Sequence, residues 1–170
     1  MIQIRPVSDL RNKFPEIEKI VEGGDPVYLT KNGYGVMVVL SLEEYAQLTE
    51  RTELRNEFQK LIRFAQTQQE MNPDAEFVVV AQTAKKHLAF FTAMNMLDEE
   101  AEEEFIQELV QENDVRLKNI VCLLKGNSLE ITSYHLRKRL LEICPENAET
   151  MMILNGEFDS VIRTIQSTMP

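Results

Sequence analysis

Apolar residues change their spacing along this chain, and each change marks an element. Leu10, Phe14, Ile17 and Val21 recur at intervals of four, three and four, which is one face of a helix. Ser8 stands where an N-cap is expected, its hydroxyl placed to accept from an N–H one turn on. Pro15 falls inside the pattern and predicts a kink or a restart. Gly23-Gly24 predicts the end. Val27 to Lys31 and Tyr34 to Leu40 are rich in β-branched and aromatic residues and flank Asn32-Gly33, a pair that suits a two-residue type I′ turn. Such a turn pairs Lys31 with Tyr34, Leu29 with Val36 and Val27 with Val38. One sheet face then holds Val27, Leu29, Val36, Val38 and Leu40, and the other Tyr28, Met37 and Val39. Both are apolar, and a single helical layer covers only one. The second face is expected to meet another copy of the chain or the later helices, with Tyr28, Met37 and Val39 as dimerisation residues. Ser41 and Glu44 form a capping box, opening a helix expected to run to about residue 66 with Leu54, Phe58, Leu61, Ile62 and Ala65 as its apolar stripe. The short Ile2-Gln3-Ile4 segment precedes all this, so the order reads β-α-β-β-α.

Beyond it, the polar stretch 67–73 ends in Pro73 and is the candidate linker. Residues 74–97 carry Phe77, Val80, Ala84, Leu88, Phe91 and Leu97 near helical spacing. They are expected to be helical, although the run Phe77-Val78-Val79-Val80 also suits a strand. The acidic run from Asp98 to Glu104 suits the positive start of a helix whose apolar residues are Phe105, Ile106, Leu109 and Val110. Lys118–Leu124 and Leu129–Ile131 flank Lys125-Gly126-Asn127-Ser128 and predict a second hairpin. Ser133 is placed to cap a helix from Tyr134 to Cys144 with Leu136, Leu140 and Ile143 inward and Arg137, Lys138 and Arg139 partly outward. Met151–Leu154, an Asn155-Gly156 turn, and a helix from Glu157 to Thr168 close the chain.

Composition narrows the functional classes. The 170 residues are 44% apolar, enough for a packed core and too much for a wholly disordered chain. No apolar run approaches the ~20 residues of a membrane span. No charged segment followed by an apolar one opens the chain, so no leader is expected and the cytoplasm is the expected location. Cys122 and Cys144 are expected to be buried or part-buried thiols. With His135 they fit no zinc-ligand spacing and lack a fourth ligand, so no metal and no cofactor are expected. Glycine-rich nucleotide loops and paired catalytic groups are not recognisable, so an enzyme is not expected.

The net charge of −10 is unevenly spread. Residues 1–48 hold five bases (Arg5, Arg11, Lys13, Lys19 and Lys31) against seven acids, and the remainder carries most of the negative charge. Such a protein should bind random DNA poorly. It can bind one site if a few cations are focused and a dimer doubles them. Arg11, Asn12 and Lys13 lie opposite the apolar face of the first helix. Composition alone makes them a solvated surface.

The motifs Pro6-Val7-Ser8-Asp9-Leu10-Arg11, Leu29-Thr30-Lys31-Asn32-Gly33 and Ser41-Leu42-Glu43-Glu44-Tyr45 change that reading. In this order and spacing, residues 1–48 resemble the prevent-host-death/YefM (Phd/YefM) type II antitoxin family. The resemblance implies a dimeric DNA-binding domain. Arg11 matches a position that contacts operator DNA in the family, and Lys31 a basic position beside the hairpin turn. Ser8, Asn12 and Lys13 would support them, whereas Lys19 has no such match. It further implies a homodimer or higher even oligomer that represses its own operon and neutralises a cognate toxin through its C-terminal region. In the family that region is typically shorter and often orders only on meeting the toxin.

The expected fold class is thus α+β. A Phd/YefM-like DNA-binding and dimerisation domain with its long helix spans 1–66. A linker covers 67–73, and a small mixed α/β or mostly helical module spans 74–170, with toxin or another partner as its ligand. The alternative is a protein-interaction or sensor module, or a stand-alone repressor, that uses the N-terminal domain only to dimerise.

Overall fold

The structure is a computed structural model and describes residues 2–95, 98–156 and 160–170. Two compact units divide the chain, Met1–Arg55 and Asn56–Pro170. Both combine helices with a sheet, so the class is α+β.

In the first unit, β1 (Gln3–Pro6) leads directly into α1 (Val7–Asn12) and α2 (Phe14–Glu22). β2 (Val27–Lys31), β3 (Tyr34–Val39) and the start of α3 (Leu42–Met71) follow. The order is β-α-α-β-β-α, with one more helix than the pattern implied. The break falls at Lys13, whose φ of −135° and ψ of 35° are not helical, and Pro15 sits in the first turn of α2. Proline is tolerated there because that N–H has no partner in the helix anyway. Ser8 does not cap α1. The helix already begins at Val7, with Pro6 at the cap position and no side-chain bond to it. Ser41 does cap α3, accepting from the Glu44 N–H at 3.1 Å.

The first sheet has the order β1-β2-β3, with β1 parallel and β3 antiparallel to β2. Its helix-covered face is a small core of Ile17, Val21, Val27 and Leu29, against which Leu10, Ile20 and Val39 pack. Lys31 pairs with Tyr34 as expected, but the register then slips. Leu29 lies opposite Met37, Tyr28 opposite Val38 and Val27 opposite Val39, which leaves Val36 as the extra residue of a bulge. A slip of one residue exchanges the faces of a strand. The expected grouping of Tyr28, Met37 and Val39 is therefore corrected. Val39 packs on the core, Met37 is paired with core Leu29, and Tyr28 shares the open face with Val38 and with Ile4 of β1.

In the second unit, the remainder of α3 precedes β4 (Phe77–Thr83), β5 (Leu88–Ala93), α4 (Glu99–Gln111), β6 (Leu117–Leu124) and β7 (Leu129–Glu130). α5 (Tyr134–Ile143), β8 (Met151–Asn155) and β9 (Ser160–Thr164) complete it. The strand order is β5-β4-β6-β8-β9, with β7 also on β6. Among the described strand pairs of this second sheet, β6–β8 is parallel and the others are antiparallel.

Both faces of this sheet are buried. Val79, Ala81, Ile120 and Cys122 join Phe105, Ile106 and Leu109 of α4 and Leu136 and Leu140 of α5. By alternation, Val78, Val80, Val121 and Leu123 face the other way. There, Phe90 meets Phe64 of α3 edge-on at 5.4 Å between ring centroids, and Phe58, Leu61 and Ala65 of the same helix are buried.

Glu57 of α3 anchors the helix to β6. Its carboxylate accepts from Lys118 Nζ at 2.8 Å and from Asn119 Nδ2 at 3.3 Å. The Lys118 ammonium holds the Glu57 carboxyl below the usual carboxylate value, with burial acting in the opposite sense. A lowered folded-state pKa contributes stability above the ordinary value of about 4.3, and that stability is lost as pH falls through the folded value. Across that fall in pH, Glu57→Gln, which has no carboxylate to protonate, is expected to lose less stability than the parent protein, read from urea melts in an acid series.

Three expectations are corrected here. Of the stretch 74–97 expected to be helical, β4 and β5 (Phe77–Thr83 and Leu88–Ala93) form a hairpin of two strands instead, and residues 96–97, Leu97 among them, lie outside the described residues. A strand buried on both faces reads as a continuous apolar run, which periodicity does not distinguish from a helix. Of the final helix expected from Glu157 to Thr168, Ser160–Thr164 is strand β9, Ile165 is buried after it, and only Gln166–Thr168 forms a short 3-10 turn of helix; residues 157–159 lie outside the described residues. The stretch 67–73 is helical as far as Met71, because glutamine and glutamate are good helix formers and polarity alone breaks nothing.

Other expectations agree with the structure. The β6–β7 hairpin forms, and the Ser133 hydroxyl accepts from the Leu136 N–H at 2.9 Å to cap α5. Asp98 caps α4.

Candidate nucleic-acid interface

Leu10 fixes the orientation of α1 by packing on the core of the first unit. The polar residues of the same short helix are thereby turned away. Ser8, Arg11, Asn12 and Lys13 are all exposed. Lys31 closes β2 at the hairpin tip, where Asn32 and Gly33 adopt φ of 53° and 82°. Both values lie in the left-handed region that the expected type I′ turn requires. Along β2, Lys31 follows Val27 and Leu29 on the helix-covered side, but it lies past the apolar cluster and is exposed. Arg11 and Lys31 therefore belong to the same side of the first unit. Among the described residues, no ion pair engages Arg11, Lys13 or Lys31; Arg5 is 4.0 Å from Glu16. Free guanidinium and ammonium groups are available for a polyanion without first breaking an internal contact.

The open face of the sheet presents Ile4, Tyr28 and Val38 in one cross-strand row, 64%, 44% and 46% exposed. Beside it a groove of about 680 Å³ runs between β3 and the start of α3, lined by Val38, Leu40, Leu42, Tyr45 and Leu48. A contiguous apolar surface of this kind marks an interaction site. Its pattern was partly visible in the sequence, and the bulge at Val36 directly follows Gly35, a glycine inside a strand that is the signal by which the altered register could have been found.

The second unit carries its own polar clusters. His135 Nδ1 is 2.8 Å from Glu102, a buried carboxylate, and Arg139 grips Glu103 with two bonds of 2.6 and 3.1 Å. These contacts join α4 to α5. The Arg139 fork is the first cause that holds the Glu103 carboxyl low. Arg137, expected partly outward, is instead buried, and Nη1 donates to the Thr132 carbonyl. Desolvation lowers its pKa. At the far end of β4, Asp114 accepts from Thr83 Oγ1 at 2.8 Å and lies 2.9 Å from His87 Nδ1. Each cluster ties two elements together. Among the described residues, no group of three His, Cys, Asp or Glu side chains is arranged to hold a metal ion.

Cys122 and Cys144 are both buried, as expected. Burial pushes the Cys122 thiol up to about 12, reinforced by Glu130 and Glu102. A thiol raised in this way stays protonated at pH 8, and the thiolate is the reactive form. Iodoacetamide at that pH is expected to leave Cys122 unmodified in the native protein and to label it in urea, read by peptide mass spectrometry. Labelling of the native form at the unfolded rate would contradict this packing.

With this geometry in place, residues 2–55 match the family described as antitoxin Phd_YefM, type II toxin-antitoxin system. The first unit is a Phd/YefM antitoxin domain, and the match extends to no other part of the chain. No curated protein sequence matches. Among solved structures, the chain is similar to a mutant cytidine deaminase from Mycobacterium tuberculosis. The identity is 16% over 55% of this chain and 75% of that one, with a TM-score of 0.42. No described helix is long and apolar enough to cross a membrane.

Proposed function

We propose that this protein is a cytoplasmic type II antitoxin that represses its own operon. A homodimer of the first unit binds a palindromic operator, and the second unit binds and silences a partner toxin. The observation that carries the reading is the exposure of Arg11 and Lys31, free of acidic partners, on one side of a Phd/YefM antitoxin domain. Arg11 serves as a two-pronged donor to a guanine edge or a phosphate. Lys31 serves as a phosphate contact, with Ser8, Asn12 and Lys13 in support. The dimer forms through the open face at Ile4, Tyr28 and Val38 and the adjoining groove. Two-fold symmetry then presents each cation twice to one duplex, a local concentration of positive charge on a dimer whose net charge stays acidic. Because phosphate contacts release counterions, affinity falls as salt rises.

Co-expression with the neighbouring reading frame tests the toxin arm. A small product that arrests growth alone, is tolerated with this protein, and co-purifies with it supports the reading. Co-purification with a partner that is harmless alone refutes that arm.

A second reading is supported by the second unit's own core, from Val79 and Ala81 through Phe105, Ile120 and Leu136. An already folded module suits a sensor or a stable protein-interaction domain, with the first unit serving repression or dimerisation alone. It predicts an isolated gene and no toxin in the neighbouring frame.

A further inference from the structure

We propose that Tyr34 binds the DNA backbone beside Lys31, its phenol donating a hydrogen bond to a phosphate oxygen; the inference rests on the operator-binding reading above. Tyr34 opens β3, Lys31 closes β2, and the two are direct cross-strand partners. Directly opposed residues send their side chains to the same face, with Cβ atoms about 4.5–5.5 Å apart. Tyr34 thus shares the side of the sheet on which Lys31 projects, which is the side covered by the helix of Arg11. It is 78% exposed, the most exposed aromatic side chain among the described residues. Nothing in the core accounts for a ring in that position. The two-residue turn through Asn32 and Gly33 pins it next to Lys31. The bulge lies farther back along the hairpin, between the tip and the core, and bulges increase local twist and re-aim the residues beyond them.

Tyrosine is one of the side chains that contact phosphate from a protein surface. Its hydroxyl is a neutral donor. That distinguishes it from Lys31 in a measurable way, because a neutral donor strengthens binding without releasing a counterion.

The test is a binding titration of the full chain on a labelled fragment from upstream of its own reading frame. Wild type, Tyr34→Phe, Tyr34→Ala and Lys31→Ala are compared across a salt series. Tyr34→Phe keeps the ring and removes only the donor. It is expected to weaken binding about 3- to 10-fold at every salt concentration, with the slope of log affinity against log salt unchanged. Lys31→Ala is expected to flatten that slope by about one for each lysine removed. Wild-type affinity in Tyr34→Phe overturns the inference. If Tyr34→Ala also converts the dimer to monomers in sedimentation, the ring is a subunit contact and the phenol has no part in DNA binding. A wild-type chain that fails to bind the fragment overturns the operator reading and this inference together. Binding by wild type and Tyr34→Phe alike overturns the inference alone.

Discussion

Alanine at both Arg11 and Lys31 is expected to abolish the specific mobility shift of the operator fragment while circular dichroism and melting temperature stay within error of the parent. The two halves of this result come from the same fact. Both side chains are exposed, and neither is engaged in an ion pair among the described residues. Surface substitutions of that kind change stability by about 0.5 kcal/mol or less. Their cost falls on the complex instead. A bidentate arginine–guanine contact is worth about 1–3 kcal/mol of discrimination, and a symmetric dimer loses it twice. At about 1.4 kcal/mol per tenfold, Arg11 alone accounts for a loss of about 30-fold or more. Lys31 adds a further loss that is larger at low salt. An unchanged shift would remove both residues from the interface and leave the groove and hairpin as dimer surfaces only.

Leu29→Ala is expected to abolish operator binding by a different route. Leu29 is fully buried in a core whose other fully buried or nearly buried residues are Ile17, Val21 and Val27. Truncating a buried leucine costs about 2–5 kcal/mol. At roughly 0.05–0.15 kcal/mol per residue, a unit the size of Met1–Arg55 has little more than that to lose. Hydrogen-exchange mass spectrometry should show protection lost across β1 to β3 and retained across β4 to β6, because the second unit has a separate core. The contrast with the Arg11 and Lys31 variant is the useful feature. Both lose DNA, but only Leu29→Ala loses protection. Retained protection in the first unit would contradict the small-core description.

Much of the first unit was legible in the sequence because its signals are local. Asn32-Gly33 specified its turn type, Pro15 located the helix break to within two residues, and Ser41 marked the start of α3. Its register carried one signal, Gly35 inside β3, which hints at a bulge without fixing the pairing. A bulge at Val36 is decided by twist and packing, and it moved Val39 to the core and brought Val38 to the open face beside Tyr28. In the second unit, the β6–β7 hairpin and the Ser133 cap carried glycine and N-cap signals and were readable. The β4–β5 hairpin was not, since its turn holds Lys86 at φ 69° and has neither glycine nor asparagine to announce it. The strands it joins are apolar on both faces, so their spacing imitated a helix. Of the candidate interface, exposure of Arg11 followed from its place opposite the apolar helix face, and that of Lys31 from its place at the hairpin tip. The side shared by Tyr34 and Lys31 needed the observed pairing.

Hydroxyl-radical footprinting of the wild-type chain on the DNA upstream of its own reading frame tests the central claim most directly. Two equal protected half-sites are predicted, with centres about one helical turn apart, roughly 34–36 Å or a multiple of it, and lost when Arg11 and Lys31 are both alanine. Absence of protection, or protection spread evenly over unrelated DNA, would contradict the account.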